Sequence, residues 1–158
     1  MSRLVGHKLP EELYRRLSGS NLSLHKEKAI VVCTVGANGW PHPAILSYFE
    51  VIAKDEHNLR LAIYKSTTTV KNILRSGKLT LQIIDRRLAY YIKGTAEVLT
   101  HEMNCSPQIS KLNLRIEQVL ADEANEEFEP GAYITSGITY RRAANPPETD
   151  AILQELLV

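Results

Sequence analysis

The sequence predicts a mainly β fold, a small six-stranded antiparallel barrel with peripheral helices. Six segments have strand character, and most of them are joined by short turns rather than by helices. A parallel sheet would need a crossover after nearly every strand, and only one short helix lies between consecutive strands in the middle of the chain. The 158 residues, 44% of them apolar and 23% charged, suit a single globular domain over 1–158 with a real hydrophobic core.

The first two predicted strands form a hairpin. Residues 29–35, AIVVCTV, are a β-branched run, and Asn38-Gly39 after them is a strong signal for a tight turn. The returning strand, 42–53, has apolar side chains in both of its alternating sets, so neither face is typical of a solvated surface. One face can line the barrel. The other needs cover from a helix, a ligand or a second subunit, and we favour a second subunit.

Four further strands and four helices complete the prediction. The strands are expected at 59–64, 79–85, 89–99 and 132–140. The helices are expected at about 9–18, 68–76, 106–124 and 148–157. The third helix is predicted because Ser106-Pro107 can begin it and because apolar residues follow at helical spacing: Ile109, Leu112, Ile116, Val119 and Leu120. Residues 141–150 are expected to be a linker.

Composition argues against several classes of protein. The net charge is +1 and the basic residues are spread along the chain, whereas a nucleic-acid binder normally carries a basic stripe. No run approaches the roughly 20 apolar residues of a membrane span, and the first residues lack the apolar core of a signal peptide. Cys33 and Cys105 are the only cysteines, too few for a disulfide framework. We therefore expect a cytoplasmic protein.

Residues 63–74, IYKSTTTVKNIL, place a run of hydroxyl side chains where a strand passes into a helix. The run is Ser66, Thr67, Thr68 and Thr69, and Lys65 and Lys71 flank it. One hydroxyl is enough to cap a helix, in which case the others are ordinary solvated loop residues. The free amides and the dipole at a helix start, together with hydroxyls and a lysine, also suit a phosphate. The residues alone leave both interpretations open.

Other chemical signals are weak. No phosphate-binding glycine loop, nucleophile elbow or HExxH motif occurs, and no catalytic acid or base can be named. His101, Glu102 and Cys105 are too few for a zinc site, so no metal is predicted. Gln82 lies on an otherwise apolar strand, where it is either an outward-facing residue or a buried amide that needs a partner such as a ligand.

Taken in order, these segments resemble the pyridoxamine 5′-phosphate oxidase-like family of FMN-binding split barrels. The resemblance rests on NGWPHPAILSYF, LRLAIYKSTTTVKNI, KLTLQII and YYIKGTAEV, and it runs from about residue 29 to residue 99. GAYITSGITY near the end supports it more weakly. The most specific part is the strand that leads into the hydroxyl-and-lysine loop and then into Asn72 and Ile73.

The resemblance implies a homodimer with FMN in the groove between the subunits. The FMN phosphate would lie on the hydroxyl loop and Lys71, the flavin ring along the second strand, and Gln82 would face the ring. The implied cofactor-binding residues are Ala44, Ile45, Leu46, Ser47, Tyr64, Lys65, Ser66, Thr67, Thr68, Thr69, Lys71 and Gln82. By the same resemblance the protein is an FMN-dependent oxidoreductase with an unknown small-molecule substrate.

Two departures from the family pattern affect this expectation. In the true oxidase the C-terminal part supplies basic and histidine residues that hold the substrate phosphate. Here Arg141 and Arg142 are the only basic residues in that part and no histidine follows, which argues against vitamin B6 oxidation. The loop also has threonines where many relatives have Ser-Arg-Lys. The alternative is a non-catalytic flavin- or heme-binding protein of storage, sensing or stress response, and a deazaflavin or no cofactor at all are further options.

Overall fold

The computed structural model describes residues 1–141 and 148–158, which form one antiparallel sheet and three helices. The strands are β1 Ser2–Gly6, β2 Ala29–Val35, β3 Pro41–Ser47, β4 Val51–Ala53, β5 Asn58–Tyr64, β6 Lys78–Asp85, β7 Leu88–Thr100 and β8 Ile109–Asp122. The helices are α1 Glu11–Leu17, α2 Thr68–Ser76 and α3 Glu148–Leu157. Most of the predicted linker, including Arg142, lies outside the described residues.

The sheet curls into a split barrel, which confirms the predicted fold class. Its strand order is β3-β2-β6-β7-β8-β5-β4, and β1 pairs with the end of β8. The core lies on the concave face, where directly paired residues of four neighbouring strands are fully buried. This inner row is Val32, Leu81, Ile92 and Val119.

The prediction of a helix at 106–124 is wrong, because residues 109–122 form the long strand β8. Side chains at 112, 114 and 116 alternate into the core, as a strand requires. Lys93 then pairs with Gln118 and Gly94 pairs with Ile116, which leaves Glu117 as a bulge. The extra residue shifts the alternation, so that Val119 is buried next. A bulged strand thus reproduces the three- and four-residue spacing of an amphipathic helix.

The predicted strand at 132–140 is also absent. This segment runs in extended form beside the start of β2, with one isolated bridge between Lys28 and Thr139. β6 pairs with β2 only from Val31 to Thr34, so it leaves the first residues of β2 unpaired on that side. The backbone bonds of the segment are divided between Arg87, whose amide donates to the Ile134 carbonyl at 2.9 Å, and the start of β2, where the Ala29 amide donates to the Ile138 carbonyl at 3.0 Å. Because these bonds are far apart along the segment, they form no continuous ladder.

The described residues contain eight strands rather than the predicted six. β1 was not predicted, and it pairs with the end of β8. The predicted strand 42–53 is divided into β3 and β4 by a 3₁₀ turn, Tyr48–Glu50. Ser47 and Glu50 form a capping box at this turn, since the Ser47 amide and hydroxyl both donate to a Glu50 carboxylate oxygen, at 2.6 and 2.9 Å.

The helices other than 106–124 lie where they were predicted. α1 falls within 9–18, and α2 and α3 occupy the expected residues. α2 ends at Gly77, whose φ of 71° is left-handed and suits glycine. Among the described residues, no helix combines the length and the apolar character needed to cross a bilayer.

A buried polar cluster ties α1 to the barrel. Asp85, at the end of β6, accepts hydrogen bonds from Arg16 of α1 at 2.8 Å and from Lys28 at 2.6 Å. Burial opposes ionisation, yet the bonds from Lys28 and Arg16 outweigh it and hold the pKa of Asp85 well below its usual range. His25 stacks on Tyr48 with the ring centroids 4.8 Å apart, and its Nδ1 is buried without a hydrogen-bond partner.

Acid should destabilise the fold through His25. Burial, reinforced by the charges of Arg16 and Lys28, lowers the pKa of His25 to about 4. The unfolded chain binds this proton near pH 6.5 and the folded chain only near pH 4, so the free energy of unfolding should fall by roughly 2–3 kcal/mol across that interval. Urea unfolding of the wild type and of His25→Phe between pH 4.5 and 7 measures the difference, and the variant should lose this part of the slope.

The control is His101→Phe, which changes an exposed histidine. It should keep the pH dependence of the wild type. Equal slopes for the wild type and His25→Phe would contradict the assignment.

Candidate cofactor site

The hydroxyl run lies at the start of α2, and Thr67 is the residue that caps the helix. Its Oγ1 accepts a hydrogen bond from the Val70 amide at 3.3 Å and donates one to the Tyr64 carbonyl at 2.8 Å. The capping interpretation is therefore correct for this one hydroxyl. Because both bonds join Thr67 to the end of β5 and the start of α2, Thr67 contributes to the shape of the site rather than to its free donors.

The other hydroxyls of the run differ in exposure. Ser66 and Thr68 are exposed, whereas Thr69 is only 2% exposed. The amides of Thr68 and Thr69 belong to the first turn of α2, where an α-helix provides no internal acceptor. Lys71, one turn further on, is exposed and makes no side-chain hydrogen bond or ion pair with the described residues. We call Ser66, Thr67, Thr68, Thr69 and Lys71 the phosphate cradle.

Lys65 is already paired. Its ammonium group bonds the Glu102 carboxylate, which lies in the loop between β7 and β8. The hydrogen bond and the charge of Lys65 lower the pKa of Glu102. The loop therefore carries one uncommitted ammonium, that of Lys71, rather than the two that the sequence offers. Tyr64, the last residue of β5, is exposed.

The β3 residues point to different faces of the sheet. Ala44 packs against the core and Leu46 lies within it, so their side chains face the barrel interior. Ile45 points outward and is 58% exposed. The Ser47 hydroxyl is occupied by Glu50. Among the described residues β3 pairs only with β2, which makes it an edge strand whose other side has no partner strand in that part of the chain. Its backbone and Ile45 are what β3 can offer to a flavin ring.

Gln82 is an outward-facing residue, which is one of the two options that the sequence left open. Its side chain is half-buried on the convex face, between Val31 of β2 and Tyr91 of β7. Direct cross-strand pairs share a face, so the register defines a largely apolar row across six strands: Ile45, Val31, Gln82, Tyr91, Leu120 and Leu4. Leu4, in β1, is 53% exposed.

α2 is fixed at the hairpin end of the barrel. The buried Asn72 side chain donates to the Thr34 hydroxyl of β2 at 2.9 Å, and the Arg75 side chain bonds the Val35 carbonyl. The phosphate cradle therefore has a rigid support beside β2 and β3. His101, Glu102 and Cys105 do not form a metal site, and no group of three or more potential ligands occurs in the described part of the chain.

A groove of about 600 Å³ opens at the opposite end of the convex face, and none of the twelve predicted residues lines it. Tyr91 and Tyr133 are among its walls, and the Arg87 guanidinium lies 3.7 Å from the centre of the Tyr133 ring. Sequence patterns did not single out these residues, because the groove depends on the position of the C-terminal segment, which short-range patterns do not give.

Comparison with known proteins identifies the family. Residues 21–132 match the family model described as pyridoxamine 5′-phosphate oxidase. The chain belongs to the pyridoxamine 5′-phosphate oxidase-like family. The curated protein YclD of Bacillus subtilis, whose function is uncharacterised, is 33% identical over 130 residues, which cover 82% of this chain and 81% of YclD.

Two solved structures show the same fold. A candidate pyridoxamine 5′-phosphate oxidase from Lactobacillus delbrueckii is 25% identical with a TM-score of 0.58, and the match covers 75% of this chain and 98% of that one. An FMN-binding protein from Syntrophomonas wolfei is 14% identical with a TM-score of 0.54, and the match covers 73% and 92% of the two chains. The second likeness is one of fold alone.

Stability measurements can separate the cap from the other hydroxyls. Thr67→Ala should lower the free energy of unfolding by about 1 kcal/mol, because the Val70 amide loses its acceptor. Ser66→Ala removes an exposed hydroxyl and should change it by less than about 0.5 kcal/mol. Urea unfolding of both variants without cofactor tests this, and equal losses in the two would show that Thr67 is not the cap.

Proposed function

We propose that the protein is a cytoplasmic homodimer that binds FMN and transfers electrons through it. The observation that carries this proposal is the start of α2, where the Thr68 amide, the Ser66 and Thr68 hydroxyls and the Lys71 ammonium remain available in a chain of this family. A dianionic phosphate matches that set, because the amides and the helix dipole favour negative charge.

The phosphate cradle suits the FMN phosphate, but it carries less positive charge than the two lysines in the sequence would supply. Lys65 is neutralised by Glu102, so the attraction depends on Lys71 and on neutral donors. A guanidinium group would offer paired donors to the phosphate, and the loop has none. We therefore expect reversible binding that weakens as salt is added, rather than permanent retention of the cofactor.

The flavin ring would lie along the edge of β3. An edge strand presents unpaired amides and carbonyls, which can bond the polar rim of the ring, and Ile45 can pack against its face. The apolar row leaves Ile45 and Leu4 exposed at its two ends. A second copy of the chain would cover this face and close the cofactor site, since exposed apolar patches commonly mark interfaces.

Bound FMN would supply the electron transfer, while the chain would fix its position and exclude water. Ser66, Thr68 and Lys71 would hold the phosphate, and β3 and Gln82 would orient the ring. The substrate would be a small molecule.

A non-catalytic flavin store is the second candidate, and the distribution of titratable groups favours it. His25 and Asp85, whose pKa values depart strongly from their usual range, lie in the cluster beneath α1. Cys105, whose pKa is raised to about 11 by burial and by Glu155, faces α3. None of these groups belongs to the phosphate cradle. Turnover separates the candidates, because an enzyme would reoxidise reduced flavin with some acceptor faster than free FMN does.

Lys71 should control FMN affinity. Lys71→Ala removes the uncommitted ammonium and should raise the Kd for FMN roughly tenfold, with a weaker dependence on salt. Fluorescence titration of the cofactor-free protein at two ionic strengths measures both effects. Lys26→Ala, an equal change of charge on the exposed loop before β2, is the control and should bind as the wild type does. Unchanged affinity in a folded Lys71→Ala protein would refute the phosphate cradle.

The convex face should mediate dimerisation. Ile45→Glu places a charge at the β3 end of the proposed interface and should shift sedimentation from dimer to monomer, with weaker FMN binding. The control Leu24→Glu changes a residue that is 69% exposed on a loop away from this row. A wild-type protein that sediments as a monomer, or an Ile45→Glu dimer, would overturn the assignment of this face.

A further inference from the structure

We propose that the groove at the far end of the convex face is a binding site for a small, flat organic cation. Its volume of about 600 Å³ lies within the range of small-molecule sites. The site is separate from the phosphate cradle, and the proposal does not depend on FMN.

The groove has two apolar and aromatic walls. Ile84, Ala89 and Tyr91 line the groove from the convex face of the sheet, and Tyr133 and Ile134 line it from the C-terminal segment. Two facing walls of this kind suit a planar ring, because aromatic groups bury large areas and stack.

The second wall is held in place by backbone contacts. The Arg87 amide donates to the Ile134 carbonyl at 2.9 Å, and the Ala29 amide bonds the Ile138 carbonyl. Between them Gly137 lies so close to β6 that an added Cβ would stand 2.1 Å from the Ile84 carbonyl oxygen. The groove therefore exists before any ligand arrives, which lowers the entropic cost of binding.

The charges around the groove select the ligand class. Four carboxylates line it: Asp122, Glu123, Glu126 and Glu129. Asp122 bonds the Tyr91 hydroxyl at 2.6 Å and lies 3.0 Å from the amino group of Met1, and Glu123 pairs with Arg3 at 3.2 Å.

Two of the carboxylates are not paired with a cation. Glu126 accepts a bond from the Gly131 amide at 3.1 Å, and neither it nor Glu129 forms an ion pair with any described residue. Among the described residues that line the groove, Arg87 supplies the guanidinium, which lies over the Tyr133 ring and forms no ion pair. It offsets one of the two unpaired carboxylates, so the groove keeps a net charge of about −1, which attracts a protonated amine or amidine and repels a phosphate.

Three ring compounds of similar shape but different charge test the ligand class. They are 2-naphthamidine, which is positive, 2-naphthamide, which is neutral, and 2-naphthoate, which is negative. Calorimetric titration of the full chain should give a Kd for the amidine roughly tenfold below that for the amide, with no detectable binding of the naphthoate. The naphthoate binding as tightly as the amidine, equal binding of all three, or no binding of any would overturn the proposal.

Variants locate the site. Glu129→Gln should weaken the amidine roughly three- to tenfold and leave the amide unchanged. Ala132→Trp fills the groove and should abolish binding of both. Glu97→Gln, which removes an exposed charge on β7 outside the groove, is the matched control and should bind as the wild type does. If Glu97→Gln weakened amidine binding as much as Glu129→Gln does, the effect would come from the overall charge of the protein, and the proposed site would be refuted.

Titrations with and without FMN keep this result distinct from the proposed function. Failure of flavin binding would leave the naphthamidine result intact, and failure of the naphthamidine series would leave flavin binding intact.

Discussion

The pairing of β7 with β8 is the contact on which the rest of the structure depends. These are the two longest strands, and their backbones approach so closely at Gly94 that an added Cβ would stand 2.2 Å from the Arg115 carbonyl oxygen. Only glycine fits there. The bulge at Glu117, close to Gly94 across the strand pair, bends β8. On the edge of β8 that faces away from β7, β5 pairs with the first half of the strand and β1 pairs with its end. This bend curls the sheet and separates a buried concave face from an exposed convex one.

The convex face carries both proposed sites, and their charges differ. At the hairpin end, α2 presents amides, hydroxyls and Lys71, which favour an anion. At the other end, the groove presents the carboxylates of Glu126 and Glu129 and keeps a net negative charge, which favours a cation. Tyr91 lies both in the apolar row, which the second copy would cover, and in the wall of the groove, so the groove would open beside the proposed dimer interface. A flavin and a cationic ring compound could occupy this surface without competing for the same donors.

Sequence patterns predicted local structure well where one interaction dominated. The β-branched run at 29–35 became β2, and residues 68–76 became α2 because Thr67 caps it and Gly77 ends it. The prediction was wrong for residues 109–122, where a bulge gives a strand the spacing of a helix. It was also wrong for residues 132–140, since the backbone bonds of that segment are divided between Arg87 and the start of β2 and form no continuous ladder.

The sequence by itself determined the family, the antiparallel barrel and the donors at the start of α2, because each depends on neighbouring residues or on a motif order that the family shares. Only the tertiary structure decided which donors remain available. Glu102 is 37 residues from Lys65 and neutralises it, Ser47 is bound by Glu50, and Ala44 and Leu46 face the core. The groove likewise joins β6 and β7 to a segment more than 40 residues further along the chain. Such contacts depend on how the strands are paired and curled, which no short stretch of sequence specifies.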